Sequence, residues 1–220
     1  MRHNIIDTGR SRSFPSDHVV RSMAAPQEKD AEVIIVMGAE VGKLTASLPQ
    51  WKDKIAVLLE LGTECLGVYN GESHGEEGSN VLGFARFRLG EGEPSNLVEL
   101  VRQPRTNEAA LGAAKQIFEA AGLQVAVCGD FAGRIIDRLV RPYYNAALRR
   151  LDEGLATAGD LDTTLKLGLG YPEGPIALLE RTGLAHHFDV SQALYEVYGE
   201  PAYAPARRAR VARQRKINKA

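Results

Sequence analysis

The sequence predicts an α/β domain followed by an all-helical one. Between residues 32 and 128, short β-branched runs alternate with helical segments, the pattern of a largely parallel sheet. From Gly133 onward the apolar period becomes helical and no strand signal returns. The chain has 220 residues, enough for two domains at roughly 100–200 residues each.

Residues 1–29 carry four arginines and several serines but no hydrophobic period, so they read as a flexible tail. The same composition suits a targeting segment; Asp7 and Asp17 argue against that. Order is expected to begin near Ala31. Glu32–Met37 is β-branched and ends at Gly38, which reads as a buried parallel strand. A short helix from Gly42 to Trp51 follows, then a second buried strand over Lys54–Glu60. Residues 70–79 are rich in Gly, Glu, Ser and His, which marks a loop. Val81–Phe87 and Asn96–Val101 read as two further strands around a Gly-rich turn. A helix over Asn107–Ala121 is stopped by Gly122, and Leu123–Cys128 is the last strand.

In the second half, Ile135, Ile136, Leu139, Val140, Tyr143, Tyr144, Ala147, Leu148 and Leu151 form a helical stripe. It contains Pro142 and is closed by Gly154. Thr157 and Asp160 are spaced as a capping box, opening a helix that ends near Gly168. Pro175 suits the first position of a helix over Ile176–Arg181. A further helix runs from Ala185 to Tyr198. The resulting division is a tail over 1–29, an α/β domain over 30–129, a helical domain over 130–213, and a basic tail over 214–220.

Composition narrows the function. Hydrophobic residues make up 44% and charged residues 25%, ordinary for a globular protein. The net charge of −1 gives no general pull toward nucleic acid or an anionic membrane. The basic run from Arg207 to Lys219 reads as a solvated helix face; a nucleic-acid patch or a contact to a CoA phosphate are the other readings. Two cysteines without a CxxC, and five histidines at unsuitable spacing, offer no metal site and fit a reducing, cytoplasmic setting. No apolar run approaches the ~20 residues that span a bilayer.

A dinucleotide fold places GxGxxG between its first strand and helix, because glycines let the backbone approach the pyrophosphate. No strand here is followed by that motif. Gly38-Ala39-Glu40-Val41-Gly42-Lys43 resembles a phosphate loop only superficially. It has three residues between glycines instead of four, and Leu44 follows the lysine.

The clearest motifs lie between Gly129 and Leu184. They are Gly129-Asp130-Phe131-Ala132-Gly133-Arg134, then Asp137-Arg138-Leu139-Val140-Arg141-Pro142-Tyr143-Tyr144-Asn145. Glu153-Gly154-Leu155-Ala156-Thr157, Asp160-Leu161-Asp162 and Gly170-Tyr171-Pro172-Glu173-Gly174-Pro175 follow in order. This series resembles the C-terminal domain of 3-hydroxyacyl-CoA dehydrogenases. That family has D-x-P-G-F, a P-Y-x-N-E-A helix, E-G-V-A-T-x-x-D-I-D and G-x-P-x-G-P. More faintly, Val81–Phe84 and Asn96–Val101 resemble late strands of its nucleotide-binding domain. The resemblance implies a remnant of a Rossmann-like sheet followed by a helical domain of the 3-hydroxyacyl-CoA and 6-phosphogluconate dehydrogenase kind.

It also implies a chemistry. In such enzymes a histidine takes the 3-hydroxyl proton while hydride leaves for NAD, and a glutamate orients the imidazole. A serine and an asparagine hold the substrate oxygen. Carried over, the histidine position falls on Ala85 and the glutamate on Glu99. The serine falls near Glu64, beside Cys65, and the asparagine on Asp137. Alanine accepts no proton, and an ionised aspartate cannot donate as an amide does. His74, in the polar loop, is the only neighbouring histidine that could substitute. Asp137 beside Arg138 reads otherwise as a helix-surface charge pair.

NAD is therefore expected by resemblance alone. Some long bacterial members of the family carry a second, degenerate half with a reduced sheet, and this chain resembles that half. Two functions remain open: a family member with reduced or absent hydride transfer, and a non-catalytic dimerisation or acyl-CoA-binding partner of a full-length dehydrogenase.

Overall fold

The computed structural model describes residues 1–71 and 79–219, without the side chains of Thr45 and Ala46. The chain forms two units. One comprises residues 1–88 and 94–134, the other residues 89–93 and 135–220.

The first unit is built on a six-stranded sheet: β1 (His3–Asp7), β2 (Val33–Met37), β3 (Ala56–Glu60), β4 (Val81–Arg86), β5 (Leu97–Arg102) and β6 (Gln124–Gly129). Their spatial order is β1-β2-β3-β4-β5-β6. All neighbours are parallel except β4 and β5, which pair antiparallel. Strands β2, β3 and β4 are buried at every position, which explains their near-continuous apolar runs.

The expectation for residues 1–29 is overturned. His3–Asp7 pairs along its whole length with Val33–Met37. The loop after it is pinned by Phe14, 1% exposed, whose ring packs 5.7 Å from Phe84 and 5.9 Å from Phe118. A short helix α1 (Val19–Ser22) buries Val20 beside them. One aromatic in a polar stretch has no period, so hydrophobic patterning does not find it. Fully burying a phenylalanine is worth about 1.5–3 kcal/mol, which adds to the strand pairing that holds the segment.

The sheet is covered on both faces. On one, Phe14, Val20 and the helix α3 (Glu108–Ala120) pack on Val33, Ile35, Leu58, Phe84 and Leu100. Asn107 caps α3 by accepting from the Ala109 N–H at 2.8 Å. On the other face, Val41, Trp51 and Leu66 pack on Ile34, Val36, Val57 and Leu59. Val41–Trp51 is a 3₁₀ run of 11 residues, where an α-helix was expected. Pro49 lies inside it and can neither donate nor tolerate the preceding turn of an α-helix. A four-residue helix, α2 (Gly67–Asn70), follows β3.

The second unit holds α4 (Ile136–Asp152), α5 (Ala158–Leu169), α6 (Pro175–Thr182), α7 (Leu184–Tyr198) and α8 (Arg207–Ile217). The basic segment is thus mostly one helix, and residues 214–217 belong to it and not to a tail. Arg208 pairs with Asp152 at 3.1 Å and Arg213 with Asp189 at 2.6 Å, so part of its charge is spent within the unit.

Pro142 has no N–H to offer the carbonyl of Arg138, one turn earlier in α4. The Tyr203 hydroxyl donates to that carbonyl at 3.4 Å.

Candidate functional site

The register of β4 and β5 sets Ala85 directly opposite Glu99. Both are buried, at 3% and 2% exposure. Opposed residues of an antiparallel pair point to one face with close Cβ atoms. The two positions that resemblance assigns to base and orienter therefore do meet, and one of them is a methyl group.

Glu99 has a different partner. Arg134 Nε lies 3.4 Å from Glu99 Oε2, with both side chains almost wholly buried. Arg134 also donates from Nη2 to the Gly62 carbonyl at 2.7 Å. Its backbone is left-handed, with φ 50°, just after Gly133 at φ 73°. A non-glycine residue there costs about 1–2 kcal/mol, so the ion pair and the Gly62 bond offset a strained backbone. Arg134 occupies the last position of the stretch that matches D-x-P-G-F, where the family pattern has phenylalanine. Sequence reasoning passed over it, although a cation in place of an aromatic was the available signal.

The other positions are also tied to structure. Glu64 Oε1 accepts from the Gly62 N–H at 2.8 Å and from the Tyr69 hydroxyl at 2.8 Å. Burial first, and then Glu64, raise the Tyr69 hydroxyl well above its ordinary pKa. Asp130 accepts from the N–H groups of Leu66 and Gly67 at 2.6 and 2.8 Å, fixing the loop that holds Cys65. Burial, with Glu99 adding to it, pushes the Cys128 thiol up to about 11, which removes it as a nucleophile at neutral pH. His74 lies outside the described residues.

Asp137 belongs to the helical unit. Its partner there is Arg141, one turn on, at 2.7 Å, and not the adjacent Arg138, whose guanidinium lies 4.8 Å from the Tyr198 ring centre. The surface-pair expectation is corrected accordingly: the Arg141 side chain is 2% exposed. Arg141 Nη1 lies 3.2 Å from His187 Nδ1, and His187 Nε2 lies 2.9 Å from Asn145 Oδ1. Arginine only donates, so Nδ1 accepts and Nε2 carries the proton. Asn145 then donates to the carbonyls of Ala202 and Tyr203 at 3.2 and 3.1 Å. Burial, and next the Arg141 charge, lower the His187 pKa to about 3.

The remaining motifs are folding devices. Asp162 accepts from the N–H groups of Ile176 and Ala177, each at 2.9 Å, and so caps α6. A Cβ on Gly174 would lie 2.2 Å from Asp162, which explains the glycine before Pro175. Thr157 caps α5 through the Asp160 N–H at 3.2 Å.

A mostly parallel sheet followed by a helical bundle defines the class: a dehydrogenase-like fold. Residues 133–219, less than half of the chain, match the 3-hydroxyacyl-CoA dehydrogenase C-terminal domain. It is similar to a 3-hydroxybutyryl-CoA dehydrogenase of Bradyrhizobium diazoefficiens, 36% identical over 109 residues, which are 50% of this chain and 37% of that one. The human mitochondrial hydroxyacyl-coenzyme A dehydrogenase is 39% identical over 88 residues, 40% of this chain and 28% of that one. This chain thus spans less than two fifths of these curated relatives. Among solved structures, 3-hydroxybutyryl-CoA dehydrogenase from Escherichia coli K12 superposes with a TM-score of 0.70 at 24% identity, over 82% of this chain and 39% of that one. The enzyme of the same activity from Ralstonia eutropha gives 0.68 at 24%, over 83% and 65%. These likenesses show the fold.

Proposed function

We propose that this chain is a 3-hydroxyacyl-CoA dehydrogenase homologue of acyl-CoA metabolism whose own residues do not carry out hydride transfer. The observation that supports this reading is the Ala85–Glu99–Arg134 arrangement. No group at position 85 accepts a proton, and Glu99 faces a permanent cation instead of an imidazole. General-base catalysis contributes roughly 10²–10⁴-fold, and the anionic Asp137 does not replace an amide donor. The test is NADH oxidation by the purified protein with acetoacetyl-CoA. The expected result is no turnover above a no-protein control; turnover of about 1–10³ per second overturns the proposal.

What the chain does instead is bind. The helical unit exposes Leu139 and Leu155, at 69% and 67%. Between α4 and α5 lies a largely apolar groove of ≈ 400 Å³, lined among others by Tyr143, Leu155, Leu161 and Leu165. Among the described residues the buried Tyr143 hydroxyl has no hydrogen-bond partner, and burial pushes its pKa up to about 12. These features support a role as a dimerisation or acyl-CoA-binding partner, with a second copy or a full-length dehydrogenase covering the helices. Light scattering should give at least twice the chain mass. A monomer that also binds no acyl-CoA in calorimetry removes this reading.

A further inference from the structure

We propose that the Glu60 carboxylate is a built-in anion occupying the place where an α/β sheet of this kind holds a nucleotide's phosphates, so that this chain does not take up NAD. The proposal rests on the proposed family reading and concerns binding, so it stands or falls separately from the loss of hydride transfer.

The connections leaving β1 and β2 pack on opposite faces. Phe14 and Val20 lie in one core cluster, and Val41 and Trp51 in the other. Loops that diverge in this way open a crevice beyond the carboxyl ends of the strands, where open α/β sheets bind ligands. A dinucleotide site needs three things there: free backbone N–H groups, a helix N-terminus at the strand end, and room for close approach.

A pyrophosphate meets an obstacle at each of the three. Glu60, at the end of β3 and 6% exposed, takes the donors itself. Its Oε1 accepts from the Ser13 N–H at 2.7 Å and from the Ser11 hydroxyl at 3.0 Å. Its Oε2 accepts from the Gly38 N–H at 2.7 Å. The helix after β1 starts only at Val19 and has four residues, and the His18 side chain already accepts from its Val20 N–H. The two loops also touch. The Glu40 N–H donates to the Thr8 carbonyl at 3.1 Å, and a Cβ on Gly38 would lie 2.6 Å from the Gly9 oxygen.

What remains is a crevice of ≈ 210 Å³. Ligand pockets usually hold about 300–1,000 Å³. Arg10 and Arg12 line it, but so do Glu60 and Glu64, so its formal charges balance. A phosphate entering it would meet a carboxylate already seated on the donors.

The test titrates NADH into the purified full chain by calorimetry, with thermal melts in the presence and absence of NAD⁺. No saturable heat and no shift of melting temperature are expected up to about 1 mM, the top of the usual KM range. Saturable binding below that concentration overturns the proposal, whether or not the protein turns over substrate. Glu60→Gln sets an amide NH₂ against one of the two backbone N–H groups, so it should lower the melting temperature and speed amide exchange at Ser13 or Gly38. Unchanged melting and exchange in that variant overturn the proposal. If the variant does not fold, wild-type exchange decides: strong protection of both amides is expected, and exchange at the rate of an open loop overturns it.

Discussion

In the helical unit one run of buried polar groups is paired from end to end. Asp137 meets Arg141, Arg141 meets His187, His187 meets Asn145, and Asn145 closes on two carbonyls. In the sheet unit Arg134 reaches Glu99 only at 3.4 Å, and among the described residues its Nε and Nη1 make no hydrogen bond. The difference separates two kinds of inherited position. Asn145, Asp162, Gly174 and Thr157 hold helices in place, so the residue types the fold needs are present. Position 85, which the resemblance makes a site for chemistry, holds the packed methyl group of Ala85. A strong family match over residues 133–219 therefore supports a shared fold far more directly than a shared reaction.

The comparison breaks most visibly at Arg134. Arg134→Ala removes the cation that pairs with the buried Glu99, and breaking a buried ion pair from one side costs about 3–5 kcal/mol. Urea unfolding would show it as a lower midpoint. Replacing both partners by apolar residues, as in Arg134→Met with Glu99→Leu, should be neutral or stabilising by about 1–4 kcal/mol. A double variant as damaged as the single one would mean that the pair itself holds the sheet unit together.

The helical network should show itself through pH. His187 in the folded chain titrates at about 3, below its ordinary 6.5. The unfolded chain therefore takes up the proton first as pH falls. Stability from the neutral imidazole is fully present above 6.5 and drains between 6.5 and about 3. The slope is at most ~1.4 kcal/mol per pH unit. His187→Gln is less stable at pH 7 but should lose this part of the slope. Identical pH slopes in the two proteins would show that His187 is not held neutral.

How far the sequence alone leads follows the same division. Helices α3 to α7 were readable because caps, glycines and the 3.6 period all mark their ends. Strands β2 to β6 were readable because apolar runs bounded by turns have few alternatives. Strand β1 was not, since it depends on pairing with β2 and on the single anchor Phe14, neither of which has a local signature. At the site, the facing of Ala85 and Glu99 came through resemblance and strand register. Arg134 stands 35 residues beyond Glu99 in the chain, and only folding brings the two together. Asp137 was assigned to its sequence neighbour Arg138, although helical geometry favours i, i+4 partners such as Arg141.

Smaller effects sharpen the reading of the helical motifs. Thr157 accepts from the Asp160 N–H and donates its hydroxyl proton to Asp160 Oδ2 at 2.6 Å. The pair is thus a local variant of a capping box, with an aspartate bonding the threonine hydroxyl. Thr157→Ala should cost about 1 kcal/mol, and Thr157→Ser only a fraction of that. A serine variant as weak as the alanine one would show that the threonine methyl packs, and that the cap contributes little.

The smallest effect tests how α4 accommodates its proline. The Tyr203 hydroxyl donates to the Arg138 carbonyl at 3.4 Å, a long bond, so Tyr203→Phe should cost about 0.5 kcal/mol, the low end for a hydrogen bond. The informative measurement is the double-mutant cycle with Pro142→Ala. Alanine at 142 restores an N–H aimed at the same carbonyl, so removing the phenol should then cost nothing measurable. A Tyr203→Phe penalty that persists undiminished in the Pro142→Ala background would disconnect the two residues. The Tyr203 ring, which is buried and packs 5.6 Å from the Tyr198 ring, would then matter through packing alone.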